Sequence, residues 1–291
     1  MSDHVIPFEK LPSGFGDLVD APPEEPAVPR PAATILLMRD GPPGLEVLLL
    51  RRSRSSGFVP GAYVFPGGRV DASDADAALF GRVDGVDEAA AAERLGSSAT
   101  GVDPLAYYVA VVREAFEETG LLLARGEGAA PARGEAGPLG WTQGGAGDAV
   151  ALRARDDLLE ERASFAEVLE RLACRVAGDA VEYIAHWITP VAEPRRYDTR
   201  FFAATVAPDR DVSLDPREMI EALWLPPARA LDLNREGALP MVFPTLRTLE
   251  AFRDFRSPDE ALASFRGRPV QPTLPRLVRT STGIGIELPG E

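Results

Sequence analysis

The sequence predicts a single α/β domain, and three observations carry that prediction. Short β-prone apolar runs alternate with helical patterns along one continuous span, no internal repeat divides it, and one well-capped helix stands out near residue 110. At 291 residues the chain is long enough to bury a sizeable core. Apolar residues make up 45% and charged residues 26%, an ordinary balance for a soluble globular protein.

Taken in order, residues 1–30 are rich in Pro, Asp and Glu and lack sustained periodicity, which predicts a mobile N-terminal arm. Val5, Ile6 and Phe8 are its residues able to dock. No secretory signal is expected, because the start lacks the basic, apolar, small-residue order of one. Ala33–Met38 and Leu45–Leu50 read as two strands of a hairpin around Asp40-Gly41-Pro42-Pro43-Gly44. Ala62–Phe65 is a third strand, stopped by Pro66-Gly67-Gly68. Asp87–Leu95 reads as a short surface helix closed by Gly96. The clearest helix follows: Asp103 suits its N-cap, Pro104 its first turn, and Gly120 its stop. Leu105, Tyr108, Val109, Val112, Phe116 and Thr119 recur along it at helical spacing.

Leu121–Ala124 reads as a strand, and 126–147, crowded with Gly, Ala and Pro, as a flexible loop. Helices are expected at about Val150–Arg162 and Phe165–Val176. Strands follow at Val181–Thr189, Arg200–Val206 and Glu221–Leu225, then helices at Ala228–Leu233, Pro244–Phe255 and Asp259–Phe265. The domain therefore spans 31–256, with an insertion near 75–103 and a C-terminal extension, 257–291, packed on it.

The formal net charge of -14 argues against a surface that coats nucleic acid. An anionic small molecule remains compatible with it, since a metal and a few local arginines reverse the field inside a pocket. No apolar run reaches the roughly 18 residues that a membrane span requires. The one cysteine, Cys174, lies among Leu169, Leu172 and Val176 and reads as a buried structural thiol, which fits a reducing, cytoplasmic setting. Lys10 is the only lysine; the other basic residues are arginines.

On the capped helix, Glu114, Glu117 and Glu118 are spaced i, i+3, i+4 and share one face. Like charges so placed repel. A solvated acidic face is one reading; the other is a divalent cation, which turns the repulsion into ligation by hard oxygens. Gly67-Gly68 allows a turn to approach a ligand closely, Asp74 adds a further carboxylate, and Arg113 stands four residues before Glu117.

These residues resemble the Nudix motif, G-x5-E-x7-R-E-U-x-E-E-x-G-U with U apolar. Gly68 to Asp74 is similar to its first part, with Asp in place of Glu, and Arg113 to Leu121 matches its second part throughout. The two parts are separated by 38 residues where the motif has 7. A split Nudix box of this kind is found in the peroxisomal coenzyme A diphosphatase branch, whose look is also matched by Gly57 to Gly68 and by Arg195-Arg196-Tyr197-Asp198-Thr199-Arg200-Phe201-Phe202. The coenzyme A signature has an arginine four residues before Gly61; here Gly57 stands there and the arginines lie upstream.

The resemblance implies a Nudix fold, an α/β/α sandwich with a mixed central sheet and helical insertions. It implies Mg²⁺ or Mn²⁺ held by Glu114, Glu117, Glu118 and the Gly67 carbonyl, with Arg113 holding the carboxylates and Asp74 as an outer or structural acid. The implied reaction is attack of water on a diphosphate linkage in a nucleoside diphosphate derivative, either coenzyme A or acyl-coenzyme A, or an ADP-ribose or NADH type. A non-catalytic Nudix-fold regulator is the alternative from another class. Glu117, Glu118, Glu218 and Glu221 are all candidates for the general base. Arg51, Arg52, Arg54, Arg196 and Arg200 are candidate phosphate contacts, or else solvated strand-end charges. His186 reads as a satisfied strand histidine. A homodimer is a further expectation, and neither nucleic acid nor membrane is expected as a partner.

Overall fold

The computed structural model describes residues 5–55, 57, 59–96, 100–127 and 146–290, with only the backbone described for Lys10 and 146–148. The chain opens with β1 (Val5–Pro7), a 3-10 turn and α1 (Phe15–Asp20). β2 (Arg30–Gly41) and β3 (Gly44–Arg52) form the expected hairpin, with Gly41 opposite Gly44. β4 (Tyr63–Val64) pairs with β3, and β5 (Gly67–Arg69) pairs with β2. A 3-10 turn at Ala72–Ala75 leads to α2 (Ala77–Phe80), β6 (Val83–Asp84), α3 (Glu88–Leu95) and α4 (Pro104–Thr119). Next come β7 (Ala124–Gly126), α5 (Ala146–Leu159), α6 (Phe165–Arg171) and β8 (Cys174–Ala177). β9 (Glu182–Ile188), β10 (Tyr197–Thr205), β11 (Met219–Leu225) and α7 (Pro227–Arg235) follow. The chain closes with α8 (Phe243–Phe252), α9 (Pro258–Phe265), β12 (Pro272–Thr273), β13 (Arg276–Arg279) and β14 (Gly283–Glu287).

An eight-stranded mixed sheet runs β11-β3-β2-β10-β9-β12, with β4 on β3 and β5 on β2. The β10–β2 and β12–β9 pairs are parallel. Alternation along the strands sends side chains to opposite faces. Ala33, Ile35 and Leu37 of β2, with Phe202 and Ala204 of β10, pack in one cluster with α4. Leu36 and Met38, with Phe201 and Ala203, pack in the other with α7, α8 and α9, where Phe252 stacks on Phe265 at 4.8 Å. Helices therefore cover both faces of the sheet: the architecture is the α/β/α sandwich.

Several elements differ from expectation. The N-terminal stretch carries β1, which pairs with β14 antiparallel, Val5 opposite Gly285. The helix expected to run to Val176 stops at Arg171, Ala173 takes a positive φ of 47°, and Cys174 lies buried on β8 between β6 and β7. Leu169, Leu172 and Val176 satisfy a helical period, but a short apolar run fits strand and helix alike, and tertiary pairing decides. Leu121–Leu123 is buried irregular chain, with the strand starting only at Ala124. Of the loop expected over 126–147, residues 128–145 lie outside the described residues. Among the described residues no helix is long and apolar enough to cross a membrane.

Candidate active site

The site grows from the C-terminal half of α4. The Asp103 side chain caps its N-terminus, accepting from the Leu105 N–H at 2.8 Å, and Gly120 ends it at φ 74°, the left-handed conformation that glycine adopts without strain. α4 is wrapped by β2, β5, α3 and α5 rather than lying on the surface. Glu118 is only 3% exposed, so the solvated-face reading of the three carboxylates does not hold.

Arg113 organises the cluster. Its Nε donates to Asp74 Oδ1 at 2.8 Å and its Nη2 to Asp74 Oδ2 at 2.9 Å. Nη1 donates to Glu114 Oε1 at 2.9 Å and to Glu117 Oε2 at 2.8 Å, and Nη2 also reaches the Arg69 carbonyl at 3.1 Å. Asp74 is fully buried, and its Oδ2 also accepts from the Asp71 N–H at 2.8 Å, closing the 3-10 turn. That turn carries the carboxylate to Arg113, so a side chain one methylene shorter than the motif's Glu still makes a two-pronged contact.

The two glycines set the distance between β5 and α4. At Gly67, φ is 154° and a Cβ would lie 2.4 Å from the Ala33 carbonyl oxygen. At Gly68 a Cβ would lie 2.4 Å from Glu114 Oε1. Without those side chains the Gly67 N–H reaches Glu118 Oε2 at 3.0 Å.

Burial pushes all three glutamates up from the usual carboxylate range. Glu114 rises to about 7, burial outweighing the opposing charge of Arg113. Glu117 is raised for the same reason. Glu118 is raised well above normal, by burial first and the Glu114 charge second, with the Gly67 N–H and Arg52 opposing. Its Oε1 is buried with no hydrogen-bond partner among the described residues. Uncompensated buried anionic oxygens are costly, and a hard cation is the natural remedy. Among the described residues no three Asp, Glu, His or Cys side chains form a ready-made cation cage, because Glu114 and Glu117 are both turned onto Arg113. The donor chemistry and the orphaned Glu118 oxygen nevertheless fit a divalent ion.

A second group stands at the adjoining sheet edge. Glu221 faces Arg51 across the β11–β3 pair; its Oε2 accepts from the Tyr63 hydroxyl at 2.6 Å and lies 3.5 Å from Arg51 Nη1. Glu218 is exposed, and both it and Arg52 are near enough for their charges to act on Glu118. Arg54 lies exposed in the turn after β3. Arg196 and Arg200 are not brought to this cluster. Arg196 donates to the carbonyls of Thr189 and Ala27, at 3.0 and 2.8 Å. Arg200 Nη1 serves Leu95, Tyr183 and His186, and the guanidinium lies over the Tyr107 ring at 5.4 Å. Both brace the fold: Arg200 lies on β10, interior to the sheet, and Arg196 in the chain just before it. His186 is satisfied, its Nε2 lying 2.5 Å from Asp198 Oδ1. Tyr63 and Arg155 escaped the sequence reading. Tyr63 stands four residues before the first glycine of the turn; Arg155, on a helix far along the chain, left no signal.

Fold and site together define a Nudix pyrophosphohydrolase, an enzyme acting on acid anhydrides. The chain belongs to the family of the NUDT19 Nudix domain, whose model matches residues 29–252. It is 28% identical over 288 residues to the acyl-coenzyme A diphosphatase NUDT19 of Homo sapiens, covering 85% of this chain and 72% of that protein. It is 29% identical over 232 residues to the protein of that name from Gallus gallus, covering 66% of this chain and 57% of the relative. A crystal structure of a NUDIX hydrolase from Alicyclobacillus acidocaldarius superposes with a TM-score of 0.63 at 27% identity, over 84% of this chain and 99% of that one.

Proposed function

We propose that the chain hydrolyses the diphosphate linkage of coenzyme A or acyl-coenzyme A, releasing 3′,5′-ADP and (acyl-)4′-phosphopantetheine. The observation that carries the reaction type is the buried carboxylate set around Arg113 with its unpartnered Glu118 oxygen. The substrate reading is supported by the names of the relatives.

In this reading Glu114, Glu117, Glu118 and the Gly67 carbonyl hold Mg²⁺ or Mn²⁺. Bound there, a divalent cation would polarise a phosphoryl oxygen and lower the pKa of a coordinated water. Arg113 holds Glu114 and Glu117 in place and takes no part in proton transfer, since its neighbours keep it protonated. Glu218 is the general base: it is exposed and near enough for its charge to act on Glu118, whereas Glu221 is engaged by Tyr63 and Arg51. Glu221 then acts by orienting Arg51. Arg51, Arg52 and Arg54, on and just after β3, meet the substrate phosphates, where a planar guanidinium offers two parallel donors. Arg196 and Arg200 have no place in this set.

A substrate panel with Mg²⁺ and with Mn²⁺ tests it: coenzyme A, acyl-coenzyme A, ADP-ribose, NADH and dinucleoside polyphosphates. The expected result is 3′,5′-ADP from the coenzyme A compounds and little turnover of the others. Absence of coenzyme A turnover beside brisk ADP-ribose or NADH hydrolysis sinks the substrate reading and leaves the reaction type standing.

A further inference from the structure

The last carbonyls of a helix have no partner within it, and three at the end of α4 are taken by other segments. The Glu117 carbonyl accepts from Arg155 Nε at 2.9 Å and from Arg155 Nη2 at 2.5 Å. The Glu118 carbonyl accepts from the Asp215 N–H at 3.4 Å, and the Thr119 carbonyl from the Ser213 N–H at 2.9 Å. Arg155 Nη1 also donates to Ser213 Oγ at 3.3 Å. One guanidinium, 3% exposed, therefore ties the end of α4 to the segment 213–218.

That segment is built to pass the position on. The Asp215 carbonyl accepts from the N–H groups of Glu218 and Met219, at 3.1 and 2.8 Å. The Asp215 carboxylate accepts from the Arg217 N–H at 3.1 Å and Nε at 2.9 Å. The Glu218 carbonyl accepts from the Ser53 N–H at 2.7 Å, anchoring the far end just past the last residue of β3. Glu218 thus stands three residues beyond the point where the turn is pinned to the helix carrying Glu117 and Glu118. A cation at a helix C-terminus is also favoured by the helix dipole.

We propose that Arg155 is a positioning residue for the hydrolysis. By gripping the Glu117 carbonyl and the Ser213 hydroxyl it fixes the Glu218 carboxylate relative to the carboxylates of α4. The inference rests on the reading of Glu218 as general base. Misplacement of a reacting group by about 1 Å costs up to about 100-fold in rate, which sets the scale of the effect.

The test uses the full chain with coenzyme A and Mg²⁺, and the variants Arg155→Met, Arg155→Lys, Ser213→Ala, Glu218→Gln and the double Arg155→Met/Glu218→Gln. Arg155→Lys keeps the charge but loses the two-nitrogen grip, and serves if the Met variant does not fold. Expected are a fall in kcat of about 10- to 100-fold with KM within about twofold, and no further loss when Arg155→Met is added to Glu218→Gln. Amide exchange should quicken in 206–219 of Arg155→Met and Ser213→Ala by more than it does in β2 and β10, whereas a purely global loss of stability would quicken all of them alike. Full kcat in a folded Arg155 variant, or losses that multiply in the double variant, overturns the proposal. Full activity of Glu218→Gln overturns the general-base reading instead, and the exchange measurement then decides alone whether Arg155 holds the segment: unchanged exchange there sinks the positioning role.

Discussion

Arg113 and Asp74, 39 positions apart in the chain, meet in a two-pronged buried ion pair, Nε to Oδ1 at 2.8 Å and Nη2 to Oδ2 at 2.9 Å. Among the described residues between them, α2 and α3 pack against α4 and β6 pairs with β8, so the interrupted motif closes in space. The pair is the joint of the site, because the same guanidinium holds Glu114 and Glu117.

Removing Asp74 strips Nε and Nη2 of the buried Arg113 of their carboxylate, while Nη1 keeps Glu114 and Glu117. Asp74→Ala should destabilise the fold by about 3–5 kcal/mol, read as a lower midpoint in urea. The fraction that remains folded should also lose activity as Arg113 shifts. An unchanged midpoint would show that the pair contributes nothing to the fold.

Gly68→Ala should damage activity more than stability. The new Cβ meets the end of a flexible side chain, Glu114, at 2.4 Å, so the carboxylate must move while the backbone stays. Gly67→Ala meets backbone instead, the Ala33 oxygen at 2.4 Å, at a φ of 154°. Its expected outcome is loss of soluble protein. Comparing kcat and Tm for the two variants separates the roles of the glycines.

Stability without metal should fall as the pH rises. Glu114 binds its proton more tightly folded, at about 7, than unfolded, at 4.5. Its contribution is complete below 4.5 and is lost as the pH passes 7, amounting to at most about 3 kcal/mol. Glu118 acts in the same direction. In EDTA, Tm should therefore drop across this window, and Glu114→Gln should flatten the drop. Added Mg²⁺ should raise Tm more at about pH 8 than at about pH 5, since it binds the folded, ionised site. A Tm profile identical with and without Mg²⁺ would contradict a cation at these carboxylates.

Arginine variants should divide by location. Arg52→Ala should raise KM for coenzyme A by about tenfold or more, with the loss of a charge-assisted phosphate contact. Arg200→Lys should leave KM within about twofold and lower Tm, because it breaks bonds to Leu95, Tyr183 and His186 inside the fold. A KM effect from Arg200 would return it to the substrate site.

Tyr63→Phe removes the hydroxyl that holds Glu221 at 2.6 Å. The expected cost to stability is about 1 kcal/mol. A rise in KM should accompany it as Arg51 loses its orientation, and a double variant with Arg51→Ala should show no further rise.

What the sequence determined by itself was whatever is encoded locally. The cap at Asp103, the stop at Gly120 and the spacing of Glu114, Glu117 and Glu118 specify α4 and its acidic face within one short segment, since capping and helical periodicity act over a few residues. The β2–β3 hairpin was legible for the same reason. Tertiary packing settled whatever depends on burial and on partners distant in the chain. It turned an acidic face into a buried one, closed Asp74 onto Arg113 across the insertion, and set Tyr63 and Arg155 against the site. It also set Arg200, on the interior strand β10, and Arg196, just before that strand, against carbonyls of the fold rather than beside the carboxylates. A side chain's charge is written in the sequence; which groups lie close enough to satisfy or perturb it is a property of packing.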